Sequence, residues 1–227
     1  MKVIAHRANY QGRSELAENS LEAVEYCLRK GWGIETDIRR GKDGMFYISH
    51  DPSNLNKRNV ADNFFALFRK YPRSLIALNV KELGYEKELV EYIVEQGVIR
   101  QIFLFDMELL ENDPGNTAKK IKSLNEGITI AARVSDRNES IDRALRIESA
   151  DVIWLDEFDR LWATRKDVDT LKRQPKTIYA ISPEIHGFTL EQAFSRWEVF
   201  RSWGIDGVCT DYAEKLSELL LYKIGGK

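Results

Sequence analysis

A (β/α)8 barrel, or TIM barrel, is the fold this sequence predicts, and three observations predict it. Short apolar, β-branched runs recur eight times, each followed by a helix or a helical candidate. The length of 227 residues is close to the ~250 usual for such barrels. No glycine-rich phosphate loop follows the first strand, which argues against a dinucleotide-binding open sheet. Neither a linker nor a low-complexity segment interrupts the alternation, so a single domain over residues 1–227 is expected.

The elements follow in order. Residues 3–7 read as the first strand. Residues 20–30 read as a helix, with Leu21, Val24 and Leu28 at helical spacing, Ser20 or Asn19 placed to cap it, and Glu22 complementing the dipole of its first turn. Residues 33–39 form the second strand. Gly41-Lys42-Asp43-Gly44 makes a turn, and residues 45–50 alternate well enough for a small extra strand. Phe64, Phe65, Leu67 and Phe68 have the spacing of a short helix packed on the core. Buried strands are then expected at 74–81, 101–106, 128–133, 151–155, 177–182 and 206–210. The intervening helices fall at 86–95, 116–124, 140–146, 166–172 and 190–202, with a last helix at 213–222.

Composition removes several classes of function. With 43% hydrophobic and 31% charged residues the chain can bury a sizeable core and is not a disordered sequence. A net charge of −2 gives no positive field for nucleic acid. Cys27 and Cys209 match no metal or redox spacing and read as buried free thiols. No stretch reaches the ~20 apolar residues of a membrane span, and no cleavage signal precedes the first strand. A cytoplasmic protein without stable membrane insertion is expected; the oligomeric state stays open.

The polar residues sort themselves by strand ends, where a barrel carries its chemistry. His6 and Arg7 end the first strand, and Glu35 and Asp37 lie near the end of the second. Asn79 and Lys81 end the third, and Asp106 ends the fourth. Side chains two apart share a face of a strand, so Glu35 with Asp37, and Asn79 with Lys81, point to the same mouth. Two adjacent carboxylates repel in a partly buried site, and a divalent cation removes that conflict; Arg39 and Arg40 are also near enough to pair with them. An oxygen-rich site favours Mg²⁺ or Ca²⁺ over zinc. His6 and His50 are two of the three histidines in the chain, and an imidazole moves protons in either direction near neutral pH. His186, after Pro183-Glu184 and before Gly187, lies in a loop beyond the seventh barrel strand; it could line the pocket, but an ordinary loop role is the favoured reading.

Together these pieces resemble the glycerophosphodiester phosphodiesterase family. The matching residues are Ala5-His6-Arg7, the run Glu18-Asn19-Ser20-Leu21-Glu22-Ala23, Glu35-Thr36-Asp37, Lys42-Asp43-Gly44 and His50-Asp51. Gly204-Ile205-Asp206-Gly207-Val208-Cys209-Thr210-Asp211 is similar to the family's last strand. The resemblance implies a barrel that hydrolyses phosphodiesters with a divalent metal. It makes His6 and His50 the acid/base pair, Glu35 and Asp37 metal ligands, and Arg7 and Lys81 phosphate contacts. It further implies attack on phosphorus by a substrate hydroxyl, giving a cyclic phosphate that water opens. Within that scheme His6 is assigned as base and His50 as acid.

Three departures from the family pattern stand out. Asn79 occupies the third metal position, where the family carries an acid; its amide oxygen can ligate Mg²⁺ or Ca²⁺ but adds no charge, and Asp106 or Glu157 is a possible substitute. Ala8 stands where glycine usually follows His-Arg. Only about two dozen residues separate His50 from the third barrel strand, so the family's common insertion is missing. The leading expectation is a metal-assisted hydrolase of a small glycerophosphodiester in lipid metabolism. Two alternatives stay open: a barrel that binds a phosphorylated ligand without metal or turnover, and a phospholipase-like enzyme acting by internal phosphoryl transfer.

Overall fold

In the computed structural model, which describes residues 1–15, 17–53 and 56–222, strands and helices alternate from end to end. The strands are β1 (Lys2–His6), β2 (Gly33–Arg40), β3 (Phe46–Ile48), β4 (Ile76–Val80), β5 (Ile102–Phe105), β6 (Thr129–Val134), β7 (Val152–Leu155), β8 (Thr177–Ile181) and β9 (Gly207–Thr210). The helices are α1 (Leu21–Arg29), α2 (Ala61–Lys70), α3 (Glu86–Glu95), α4 (Met107–Leu110), α5 (Asn116–Leu124), α6 (Ile141–Arg146), α7 (Arg165–Leu171), α8 (Leu190–Ser202) and α9 (Ala213–Tyr222). A 3-10 turn, Pro183–His186, follows β8. No described helix is long and apolar enough to cross a membrane.

Eight parallel strands close into a barrel. The sheet order is β1-β9-β8-β7-β6-β5-β4-β2-β3, and β1 also pairs with β2. The extra strand β3 is antiparallel to the far end of β2, pairing Ile38 with Ile48 and Arg40 with Phe46. Closure between β2 and β4 needs a small residue at Gly33: a Cβ there would lie 2.7 Å from the Leu75 carbonyl oxygen.

Period-2 alternation divides the barrel strands between two cores. Inward positions form one cluster that includes Ile4, Ala77, Phe103, Phe105, Ala131, Trp154, Tyr179 and Cys209. Its aromatic rings fill the barrel: Phe103 stacks on Tyr179 at 5.6 Å between centroids, and Trp154 lies 4.8 Å from Phe105. Outward positions pack against the helices in a larger cluster that takes in Phe64, Phe65 and Phe68 of α2, all fully buried. The short-helix reading of those phenylalanines agrees with α2. Both cysteines are free and buried, as expected.

On five strands the last inward apolar residue is followed two positions later by a polar one at the mouth. Ile4 leads to His6, Ala77 to Asn79 and Lys81, Ala131 to Arg133, Trp154 to Asp156, and Cys209 to Asp211. Strand β2 is polar along this face, with Glu35, Asp37 and Arg39, all buried. One end of the barrel is therefore dry and aromatic and the other is charged.

Two local features differ from the expected elements. The first strand stops at His6, because Arg7 (φ 49°) and Ala8 (φ 60°) turn into the left-handed region. Both are non-glycine residues, and this conformation costs each roughly 1–2 kcal/mol relative to an ordinary backbone. The structure also inserts α4 directly after β5, entered through a left-handed Asp106 (φ 70°).

Candidate active site

A cavity of 1220 Å³ opens at the C-terminal ends of the strands and is lined by His6, Arg7, Glu35, Asp37, His50, Asn79 and Lys81, among others. These seven sequence-predicted site residues thus line one space.

The turn after β1 explains how the Glu18-Asn19-Ser20 motif serves the site. Asn19 (φ 53°) donates its backbone N–H to the Arg7 carbonyl at 2.8 Å, and its side-chain oxygen accepts from the Thr36 hydroxyl at 2.7 Å. Ser20, not Asn19, caps α1, accepting from the Ala23 N–H. Glu18 accepts from Arg7 Nη1 at 2.7 Å. The motif therefore ties the His6–Arg7 turn to β2.

His6 is anchored from the opposite side. Its Nδ1 lies 2.8 Å from Asp211 Oδ1, just past β9, and its Nε2 is 3.8 Å from Glu35 Oε2. Asn9 Nδ2 also donates to Asp211, at 3.0 Å. Burial works against a charge on His6, but its hydrogen bond to Asp211 and the charges of Glu35 and Asp211 outweigh it and raise its pKa above 6.5. Burial likewise opposes the Asp211 carboxylate, yet His6 and Asn9 hold its pKa below the ordinary value.

Glu35 and Asp37 meet as expected, but their cationic partners are not Arg39 and Arg40. Asp37 lies 3.6 Å from Arg7 Nε and 3.5 Å from Lys81 Nζ. Arg39 instead binds Glu82 and the carbonyls of Ser49 and His50, while Arg40 binds Glu88. Glu35 accepts from the Arg7 backbone N–H at 3.2 Å. Its pKa is pushed up to about 7, first by burial and then by the charge of Asp37. Asp37 Oδ2 is buried and accepts no hydrogen bond.

His50 follows β3 and lies across the mouth, with a side chain 38% exposed and Nδ1 3.0 Å from Asp51 Oδ1. Its position is set through its backbone, whose carbonyl accepts from Arg39 Nη2 at 2.7 Å. Burial, then the nearby Arg7 charge, lowers its pKa from 6.5.

Neither expected stand-in for an acidic third ligand is available. Asp106 is held by Arg133 Nε at 2.8 Å and Nη2 at 2.7 Å, and accepts from Asn79 Nδ2 at 3.0 Å. Glu157 is fully buried and locked to Arg196 at 2.5 and 2.7 Å, away from the cavity. Among the described residues no three His, Cys, Asp or Glu side chains converge to hold a metal ion. Glu35 and Asp37 lie on one face of β2, and Asn79 pairs in register with Asp37 on the neighbouring strand.

His186 corrects the loop reading. It closes the 3-10 turn after β8, lines the cavity, and places Nε2 2.6 Å from Asp156 Oδ1. Asp211, Arg133 and Asp156 were not singled out from the sequence. Each lies two residues beyond an inward apolar position, and that continuation of the strand period was the signal.

Comparisons with known proteins bear on the family and the fold. The profile of the Glycerophosphoryl diester phosphodiesterase family matches residues 6–180. No curated protein matches the chain. A glycerophosphodiester phosphodiesterase from Parabacteroides distasonis superposes with a TM-score of 0.73 at 15% identity, covering 98% of each chain. An Oleispira antarctica phosphodiesterase, solved with the product sn-glycerol-3-phosphate, gives 0.67 at 18% identity over 97% of this chain and 96% of its own. A glycerophosphodiester phosphodiesterase from Thermotoga maritima gives 0.61 at 17% identity over 96% and 97%. At such identities these superpositions are a likeness of fold.

Proposed function

Because the chain belongs to the glycerophosphoryl diester phosphodiesterase family, we propose that it hydrolyses a small glycerophosphodiester-like substrate in this cavity. One observation carries the reading: both histidines, both second-strand carboxylates, Arg7 and Lys81 line a single space. The glycerol phosphate held by the Oleispira antarctica relative supports a glycerol-phosphate half in the substrate.

Arg7 and Lys81 supply the positive charge for the phosphate, and both already flank Asp37. A substrate hydroxyl next to the phosphate attacks phosphorus and gives its proton to one histidine. The other histidine protonates the leaving alcohol oxygen as the P–O bond breaks. Water then opens the cyclic phosphate, with the two histidines exchanging roles.

Electrostatics favour an order opposite to the one expected from the sequence. His50, whose pKa is lowered, is the more readily neutral and so free to take the proton in the first step, and His6, whose pKa is raised by Asp211 and Glu35 against its burial, is the more readily protonated and so able to give one. Asp211 also leaves Nε2 of His6 as the atom that moves the proton.

Glu35, Asp37 and the amide oxygen of Asn79 are the residues that would hold a divalent cation. The unbonded buried oxygen of Asp37 and the raised pKa of Glu35 are what such an ion relieves. Three hard oxygen donors suit Mg²⁺ or Ca²⁺, with less charge than an all-acidic set. When bound, the ion supplies charge stabilisation to the phosphoryl oxygens.

Hydrolysis of a chromogenic phosphodiester, with and without chelator, tests this reading on the wild type and on His6→Ala. Wild-type turnover that falls with chelator and with His6→Ala is expected. Absence of turnover with any divalent metal over a panel of diesters rejects it in favour of ligand binding without catalysis.

A further inference from the structure

Strand β6 lies four places from β1 in either direction around the barrel, so Arg133 sits diametrically opposite His6. There the cavity wall is one connected polar chain. Asn79 Nδ2 donates to Asp106 at 3.0 Å, and Arg133 grips Asp106 through Nε and Nη2 at 2.8 and 2.7 Å. Arg133 Nη1 then donates to Asp156, whose other oxygen lies 2.6 Å from His186 Nε2. Phe158 closes the rim, 4.3 Å from the His186 ring, with the Arg137 guanidinium 4.1 Å from its centroid. Apart from Asn79, none of these groups has a part in the phosphate chemistry described above, yet Asp106, Arg133, Asp156, Phe158 and His186 all line the same cavity.

We infer that this wall is the subsite for the leaving alcohol, and that it takes a neutral, hydroxyl-rich alcohol such as a polyol or a sugar. The inference rests on the phosphodiesterase reading and extends it to the substrate's second half. Charge balance selects the class. Both carboxylates are already bonded to Arg133 or His186, and the Phe158 ring an ammonium headgroup would seek already carries the guanidinium groups of Arg137, 4.1 Å from its centroid, and Arg133, at 5.4 Å. An acyl chain is equally unsuited, because burying it here would strip a charged network of water with nothing returned. Hydroxyl groups both donate and accept. They match the second N–H of each Arg133 terminal nitrogen, the remaining carboxylate lone pairs, and the second nitrogen of His186, whose side chain is 19% exposed. The volume of 1220 Å³ also leaves room for an alcohol larger than glycerol.

The alternatives differ in one measurable ratio. Diesters of glycerol 3-phosphate with a hexose or inositol, with choline, and with p-nitrophenol are compared by kcat/KM. Wild type is expected to favour the hexose or inositol ester over the choline ester by about tenfold or more. His186→Ala, and separately Asp156→Asn, should lower the sugar-to-aryl ratio by about tenfold or more, mainly through KM. A preference for choline overturns the inference. So does an equal fall on sugar and aryl esters, which would give His186 a structural or catalytic role instead. Should wild type turn over none of the diesters, the phosphodiesterase reading fails, and calorimetric binding of the same intact esters decides the subsite. Loss of sugar-ester binding in His186→Ala with inorganic phosphate still bound supports it; equal loss of both, or no sugar-ester binding by wild type, overturns it.

Discussion

His6 Nδ1 and Asp211 Oδ1 lie 2.8 Å apart across 205 residues of sequence. The contact exists because β9 pairs beside β1 and closes the barrel, bringing the residue after the last strand against the end of the first. It fixes which nitrogen of His6 faces the cavity, and it holds a proton on the ring.

Asp211→Asn should therefore move a pH limb. As the acid, His6 works while protonated, and activity is lost as pH rises through its raised pKa. Removing the Asp211 charge lowers that pKa, so the alkaline limb of kcat/KM should shift to lower pH. An unmoved limb would mean that another group carries the proton.

The same pair makes a pH-dependent contribution to folding. Asp211's pKa is depressed, so its share of stability is lost as pH falls through the folded value. His6's pKa is raised, so its share is complete below 6.5 and is lost as pH rises through the folded value. The stability gap between wild type and Asp211→Asn in urea unfolding should peak between these limits and shrink on both sides.

His6→Ala and His50→Ala should each cost about 10²–10⁴-fold in kcat, the usual worth of a positioned acid or base. Single-turnover rates on a chromogenic diester measure this. A loss under tenfold in either variant removes that histidine from the proton transfers.

Asn79→Glu sets a carboxylate beside Asp106, Asp37 and Glu35. Without metal the variant should melt below wild type, because like charges are crowded together. With Mg²⁺ or Ca²⁺ its melting temperature should rise further than wild type's, and its calorimetric affinity should tighten. An unchanged affinity places Asn79 outside the metal shell.

Arg196→Met should be among the most destabilising changes in the chain. It strands the fully buried Glu157 carboxylate, and breaking a buried pair costs about 3–5 kcal/mol. Urea unfolding checks the loss. Pairing it with Glu157→Leu should recover most of it.

Most of the barrel is legible in the sequence because one period governs it. Ile4, Ala77 and Trp154 are inward, apolar and spaced as a strand demands, and the helices between them carry their own 3.6-residue rhythm. Glu35 with Asp37 and the two histidines are legible for a related reason, since strand ends place them at one mouth. Pairings across the barrel are harder to read. That Asp37 meets Arg7 and Lys81, while Arg39 meets Glu82, depends on the stagger between strands after closure. His186 was hidden because a 3-10 turn gives no periodic signal, although it brings the ring to Asp156. Asp106 looked like a spare ligand, and only its bidentate bond to Arg133 shows that it is committed elsewhere.

Arg39 has a consequence for how this chain tolerates change. Its guanidinium holds the carbonyls of Ser49 and His50 while also binding Glu82, just beyond β4. The histidine's backbone is thus moored from β2, while its ring meets Asp51 at the very start of the connection to α2. Loops of different length can be grafted between Asp51 and Asn59 at little entropic cost, and the proton carrier keeps its place while the entrance to the cavity is rebuilt around it.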